Sequence, residues 1–232
     1  MTERALLENG LAVFVPAVYP QAVEQLLHYS VLLREKNKVM NLTAITDPCE
    51  IVSRHFLDCA ALVPSIEEGA SVLDVGTGAG FPGLPLAILC PRTTFVLLDA
   101  QRKRIDFLSE VIADLGLANC TAVHARAEDF AREHRASFDL AVSRAVAQLR
   151  ELSELALPMV KVGGAFLAMK AADCADEVTA AAHAFAVLGA DAAELLPYTV
   201  DGTARILVRV RKIAETPVQY PRRFKKIQTM PL

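Results

Sequence analysis

The sequence predicts a Rossmann-like α/β fold: a seven-stranded, mostly parallel sheet ending in an antiparallel hairpin, preceded by a helical N-terminal extension. Three observations carry this. After Gly69, short apolar runs alternate with helix-patterned stretches, and such units build a parallel sheet covered on both faces. Little more than Asp201-Gly202-Thr203-Ala204 separates the last two apolar runs. That is too short for a parallel crossover, so they pair as a hairpin. The first 65 residues read as helical. A length of 232 residues suits one large domain or a domain with an extension. The expected divisions are a helical extension at 1–65, a sheet domain at 66–213 and a basic tail at 214–232.

Taken in order, residues 21–38 place Val23, Leu26, Leu27 and Val31 at helical spacing and end in the polar stretch Arg34–Lys38. A second helix starts at Asp47, an N-cap residue followed by Pro48 at the first position and Glu50 three residues on. Its apolar stripe holds Ile51, Val52, His55, Phe56, Cys59, Leu62 and Val63. Strands are expected at 71–75, 94–99, 120–125, 138–143, 165–170, 193–199 and 205–211, with helices at 81–89, 102–115, 127–134, 148–160 and 173–188. The 102–115 helix is the best patterned, with Ile105, Leu108, Ile112 and Leu115 on one face and Gly116 as its stop.

Composition narrows the class. With 53% hydrophobic and 22% charged residues the chain can form a core, which excludes a disordered or collagen-like protein. No apolar run reaches the roughly 20 residues of a membrane span, and the start Met1-Thr2-Glu3-Arg4 lacks the basic region of a signal peptide; a cytoplasmic location is expected. Five widely spaced cysteines without a C-x-x-C pair argue against a disulfide framework, and no metal is expected. The net charge of −3 is uneven: between Arg205 and Lys226 eight basic residues face one acid, so a +7 segment follows a −10 body. That points to a polyanion partner bound locally, or to a solvated tail.

The strongest local signal is Val72-Leu73-Asp74-Val75-Gly76-Thr77-Gly78-Ala79-Gly80-Phe81-Pro82-Gly83. It lies at the carboxyl end of the first strand, where open α/β sheets bind ligands. Asp99 ends the second strand 23 positions after Gly76, which suits a carboxylate accepting from ribose hydroxyls. Two cofactors compete. Residues 78–83 match G-x-G-x-x-G, the dinucleotide fingerprint. However, the strand ends in D-x-G-x-G-x-G, and an acid there repels a pyrophosphate but suits the ammonium and sulfonium of S-adenosylmethionine (SAM). The terminal hairpin likewise resembles a class I SAM-dependent methyltransferase sheet more than an NAD sheet. A glycine-rich turn without a ligand is the remaining reading.

From Asn41 to Lys170 the chain resembles the bacterial small-subunit ribosomal RNA guanine-N7 methyltransferases, the glucose-inhibited division protein B family. The carrying segments are Asn41-Leu42-Thr43, Arg54-His55-Phe56-Leu57-Asp58, Asp74 to Gly83 with Pro85, Leu98-Asp99-Ala100, Arg126-Ala127-Glu128, Ser143-Arg144-Ala145, and Gly163-Gly164 leading to Met169-Lys170. Tyr220-Pro221-Arg222-Arg223 and Pro231-Leu232 match the family's ending, although Phe224 to Met230 stands where the family usually carries a Gly/Pro turn. The resemblance implies SAM as donor and N7 of a guanine in 16S rRNA, near the decoding centre, as acceptor. The partner is the 16S rRNA or the small subunit, and a monomer is expected. It also implies that Gly76 and Phe81 contact SAM, with Asp74, Gly78 and Gly80 in the same loop. Asp99, Ala100 and Gln101 would hold the ribose, Ala127 and Glu128 the adenine, and Arg144 would line the transfer site.

The chemistry fits. N7 of guanine carries a lone pair and no proton, so its methylation needs alignment and no general base. Ser143-Arg144-Ala145-Val146 follows the fourth strand, with no N-P-P-Y-like acceptor set and no Pro-Cys nucleophile there. Pro48-Cys49 precedes the cofactor loop, at a helix start. Arg144 is expected to bond a guanine edge or a phosphate, or to sit in an ion pair. Asn41 is expected at the site, with a turn cap as its alternative. His55, on its apolar stripe, reads as a hydrogen-bonded core histidine, and Arg54 pairs with Asp58 one turn away. Lys170, Arg205, Arg222 and Arg223 are the expected RNA contacts. Two other functions stay open: a SAM-dependent methyltransferase of a small molecule or protein, and a catalytically silent ribosome-assembly factor. An NAD-linked oxidoreductase is more distant.

Overall fold

The structure, a computed structural model, describes residues 2–232. In chain order it runs through α1 (Glu3–Phe14), α2 (Ala22–Met40), α3 (Pro48–Ile51), a π turn (Val52–Leu57), α4 (Asp58–Ala60), β1 (Ser71–Val75), α5 (Gly83–Leu89), β2 (Thr94–Asp99) and α6 (Arg102–Asp114). It continues with β3 (Cys120–His124), α7 (Ala127–Glu133), β4 (Phe138–Arg144), α8 (Leu149–Ala156), β5 (Val160–Ala171), α9 (Ala175–Val187), β6 (Glu194–Val200), β7 (Thr203–Arg211) and α10 (Phe224–Thr229). The seven strands form one sheet in the order β3-β2-β1-β4-β5-β7-β6. The first five run parallel, and β7 pairs antiparallel with both β5 and β6, as the short connection required.

The turn of that hairpin has only two residues. Asp201 and Gly202 take φ of +49° and +71° between the paired Val200 and Thr203, a backbone that Asp-Gly adopts readily and whose twist matches the strands. β7 therefore begins two residues earlier than 205–211 implied. The expected helix at 148–160 splits: α8 stops at Ala156, a 3₁₀ turn covers Leu157–Met159, and β5 starts at Val160. Pro158 is the cause, since it has no N–H to continue the helical ladder.

Two apolar layers cover the sheet. α1, α2 and the α3–α4 segment share one cluster with α5 and α6, including Leu7, Leu26, Tyr29, Phe56, Phe95 and Leu108. The opposite cluster joins α7 to α10 through Leu152, Phe166, Phe185 and Ile227. Tyr29 links the first layer to the glycine loop: its ring lies 5.6 Å from both Phe56 and Phe81, and its hydroxyl donates to the Ala79 carbonyl. The tail follows a definite path, with α10 packed beside α8 through Ile227.

Candidate active site

The carboxyl ends of β1, β2, β4 and β5 meet the N-terminal helices along one edge of the sheet, and the site lies there in two halves. The first half is the glycine loop. Gly76, Gly78 and Gly80 take φ of +73°, +62° and +108°, a left-handed backbone that favours glycine. A Cβ on Gly78 would meet nothing closer than 4.0 Å, so bare main chain is open there, whereas Gly76 and Gly80 are closely covered by Val146 and by Leu108 and Tyr29. Asp99 buttresses it: its Oδ2 accepts from the Gly78 N–H at 3.0 Å and from Arg104 at 3.2 Å, and its Oδ1 accepts from the Gln101 N–H at 2.8 Å. Ala100 and Gln101 are exposed beside it. Glu128, at the start of α7 with Ala127, accepts at 3.2 Å from the Phe224 N–H, so the terminal helix abuts the expected adenine side.

Asp74 is placed differently from the expectation that it faces the donor directly. It is fully buried behind the loop, and its Oδ2 accepts from the Gly83 N–H at 2.8 Å, at the start of α5. Its Oδ1 is buried with no hydrogen-bond partner in the chain. Burial pushes this carboxyl up to about 7, against the pull of the Gly83 N–H and the Arg144 charge. A buried carboxylate with one unpartnered oxygen behind the loop backbone, with Asp99 at the next strand end, fits a cationic donor carrying a ribose. These residues fit SAM.

The second half is a groove of about 490 Å³ lined by Ile45, Arg54, His55, Asp58, Arg144, Ala145, Met169, Lys170, Ala171, Tyr198 and Arg205. Arg144 ends β4 at its centre. Its Nη1 donates to Asp58 Oδ2 at 3.1 Å and to the Arg54 carbonyl at 3.3 Å, its Nη2 donates to His55 Nδ1 at 3.1 Å, and its guanidinium lies 4.7 Å from the Phe81 ring centroid. Asp58 Oδ1 accepts from the Tyr198 hydroxyl at 2.9 Å. His55 Nδ1 also lies 3.1 Å from the Arg54 carbonyl, and its Nε2 shares a hydrogen bond of 2.9 Å with Thr43 Oγ1. Burial and the Arg144 charge lower its pKa to about 4, so it is neutral at pH 7. Asn37 fixes Thr43 in turn, through bonds of 2.8 and 2.9 Å to its carbonyl and N–H.

His55 is thus a partly buried wall of the groove, not a core histidine. Arg54 pairs with Glu50 at 3.4 Å, and Asp58 pairs with Arg144. Arg54 thus turns back one turn to Glu50, and Asp58 is taken by Arg144 from the end of β4. Asn41 is the left-handed C-cap of α2 (φ +50°), exposed and outside the groove lining; the turn-cap alternative is what the structure contains. Lys170 and Arg205 do reach the groove. Lys170 bonds Glu177 Oε1 at 2.7 Å, and Arg205 Nε lies 3.8 Å from Asp58.

Arg222 does not join them. Its guanidinium and N–H all bond the carboxylate of Glu154, which is 0% exposed. The +7 segment is correspondingly less available than its sequence implied: Arg209 pairs with Glu194, and Lys212 is buried against the Leu188 carbonyl and the Thr216 hydroxyl. Arg223, Lys225 and Lys226 remain exposed. Tyr198 is the residue that sequence reasoning missed. It sits mid-strand on β6, with no motif around it.

Comparison with known proteins agrees with this geometry. The model of the rRNA small subunit methyltransferase G (GidB) family matches residues 22–201. A ribosomal RNA small subunit methyltransferase G from Clostridium botulinum is 44% identical, over 90% of this chain and 90% of its own. One from Lachnoclostridium phytofermentans is 45% identical, over 100% of this chain and 98% of its own. Among solved structures, a precorrin-6y C5,15-methyltransferase from Geobacter metallireducens superposes with a TM-score of 0.52 at 13% identity, over 75% of this chain and 92% of its own, which is a likeness of fold. With a matching family model over most of its length and relatives above 40% identity, the chain belongs to the rRNA small subunit methyltransferase G family, a family of SAM-dependent methyltransferases.

Proposed function

We propose that this chain, acting as a cytoplasmic monomer, transfers the methyl group of SAM to N7 of a guanine in 16S rRNA near the decoding centre. The observation that supports N7 is the lack of a free base in the groove. His55 has both ring nitrogens bonded to the chain's own Arg144 and Thr43, and Asp58 is held by Arg144 and Tyr198. An exocyclic amine or a hydroxyl would need a proton acceptor; N7 needs none.

When bound, SAM supplies an electrophilic methyl on a positive sulfur. The protein's part is placement. Gly76, Gly78, Gly80 and Phe81 form the donor's bed, Asp99 with Ala100 and Gln101 takes the ribose, and Ala127 and Glu128 flank the adenine. Arg144 borders the acceptor base, while Lys170 and Arg205 in the groove, and Arg223 at the tail, meet phosphates. Alignment of this kind is worth about 7–11 kcal/mol. Residues 2–65 act as the extension that walls the groove, through Ile45, Arg54, His55 and Asp58.

Labelled methyl transfer to unmodified small subunits, followed by borohydride–aniline cleavage, tests the reading. One cleavage site at a decoding-centre guanine is expected; label on another position or on metabolites would overturn it. Asp74 adds a pH test. Its folded carboxyl is raised to about 7, so it is largely protonated at pH 6 and ionised at pH 8, and only the ionised form attracts a cation. SAM affinity should therefore rise from pH 6 to 8 by calorimetry, and the rise should disappear in Asp74→Asn. The sign for stability is opposite: the raised value favours the fold below about pH 4 and is lost as pH climbs through 7.

A further inference from the structure

We propose that Asp58 and Tyr198 are positioning residues that hold the Arg144 guanidinium away from N7 of the acceptor guanine. This rests on the reading of Arg144 as the residue beside the base. An unrestrained arginine meets guanine as a fork, donating to O6 and N7 together. In that pair the N7 lone pair is given to an N–H, and the same lone pair must form the bond to the incoming methyl carbon. An arginine free to swing would recognise guanine and block its reaction.

The groove prevents this. Nη1 is tied to Asp58 Oδ2 and the Arg54 carbonyl, Nη2 gives one N–H to His55 Nδ1, and the guanidinium carbon lies 4.7 Å over the Phe81 ring centroid. The end-on fork of Nη1 and Nη2 is therefore closed, and Asp58 with Tyr198 fixes the orientation in which the remaining Nε–H and single Nη2 N–H meet O6 or a phosphate. Asp58 must itself stay fixed. It is 6% exposed, and Tyr198 reaches across from β6 to donate to its Oδ1, leaving Oδ2 for Arg144. The edge strand of the hairpin thus sets the angle of an arginine on β4.

The test is steady-state methylation of small subunits by full-length Tyr198→Phe and Asp58→Asn, with donor affinity and Tm measured alongside. Tyr198→Phe should lower kcat about tenfold, the scale of one hydrogen bond to a charged group, with unchanged donor affinity. The RNA KM should stay level or fall, because the released arginine now captures N7. Adding Arg144→Lys, which cannot fork, should leave kcat where Arg144→Lys alone puts it. Wild-type kcat in Tyr198→Phe would overturn the proposal, as would a kcat loss accompanied by a raised KM and additive in the double variant; those belong to a structural tyrosine. Should Asp58→Asn fail to fold, Tyr198→Phe still decides. Arg144→Lys at wild-type kcat would instead remove Arg144 from the base, a failure of the site assignment itself.

Discussion

Asp99→Ala is expected to weaken SAM binding about 100-fold while the sheet stays folded. Asp99 is 5% exposed at the end of β2, and its two oxygens order the Gly78 and Gln101 N–H groups. Those oxygens also present the charge expected to take two ribose hydroxyls, and hydrogen bonds to a charged group are worth about 1.5–3 kcal/mol each. Losing both gives a factor of the order of 10² or more. Asp99→Asn keeps one acceptor and should fall between. Its other partner, Arg104, is 36% exposed, so freeing it leaves no buried charge. Calorimetry with SAM, beside a melting curve, checks this; undiminished affinity would remove Asp99 from the donor site.

Arg222→Ala has the largest expected effect on stability. Glu154 is 0% exposed in α8, and Arg222 supplies two guanidinium donors at 2.8 and 2.6 Å. Removing one partner of a buried pair strands the other charge, at about 3–5 kcal/mol. The Arg222 N–H at 2.8 Å survives the substitution and places the loss near the lower end. For a chain of this size that lowers Tm by about 6–12 °C. Pairing it with Glu154→Leu should restore most of the loss, since neither charge is then buried. The salt dependence of RNA binding should not change, because the Arg222 guanidinium is already taken by Glu154. A variant of normal Tm with a shallower salt slope would return Arg222 to the RNA surface.

Residues 71–99 show what the sequence makes legible. Parallel strands buried on both faces appear as apolar runs, and the spacing of Gly76, Gly78 and Asp99 already pointed to the strand ends where Asp99 bonds the Gly78 N–H. The hairpin is legible in Asp201-Gly202 and the absence of room for a crossover. The acceptor half was readable only in part. Arg144 and Asp58 stand in recognisable segments, but their pairing spans 86 positions, and Tyr198 lies 140 from Asp58. Contacts of that range are set by tertiary packing and leave no local pattern. The roles of Arg54 and His55 were hidden for the same reason, since it is the distant Arg144 that takes Asp58 and bonds His55. In the tail, a run of positive charge said nothing of Glu154 and Glu194, which wait on α8 and β6 to neutralise it.

The most direct measurement is a crystal structure with S-adenosylhomocysteine. The account predicts the ribose on Asp99, the adenine beside Ala127 and Glu128, and the amino-acid end along Gly76 to Gly80 with the sulfur directed at the Arg144 groove. The product lodged anywhere else, or its sulfur turned away from Arg144, would contradict it.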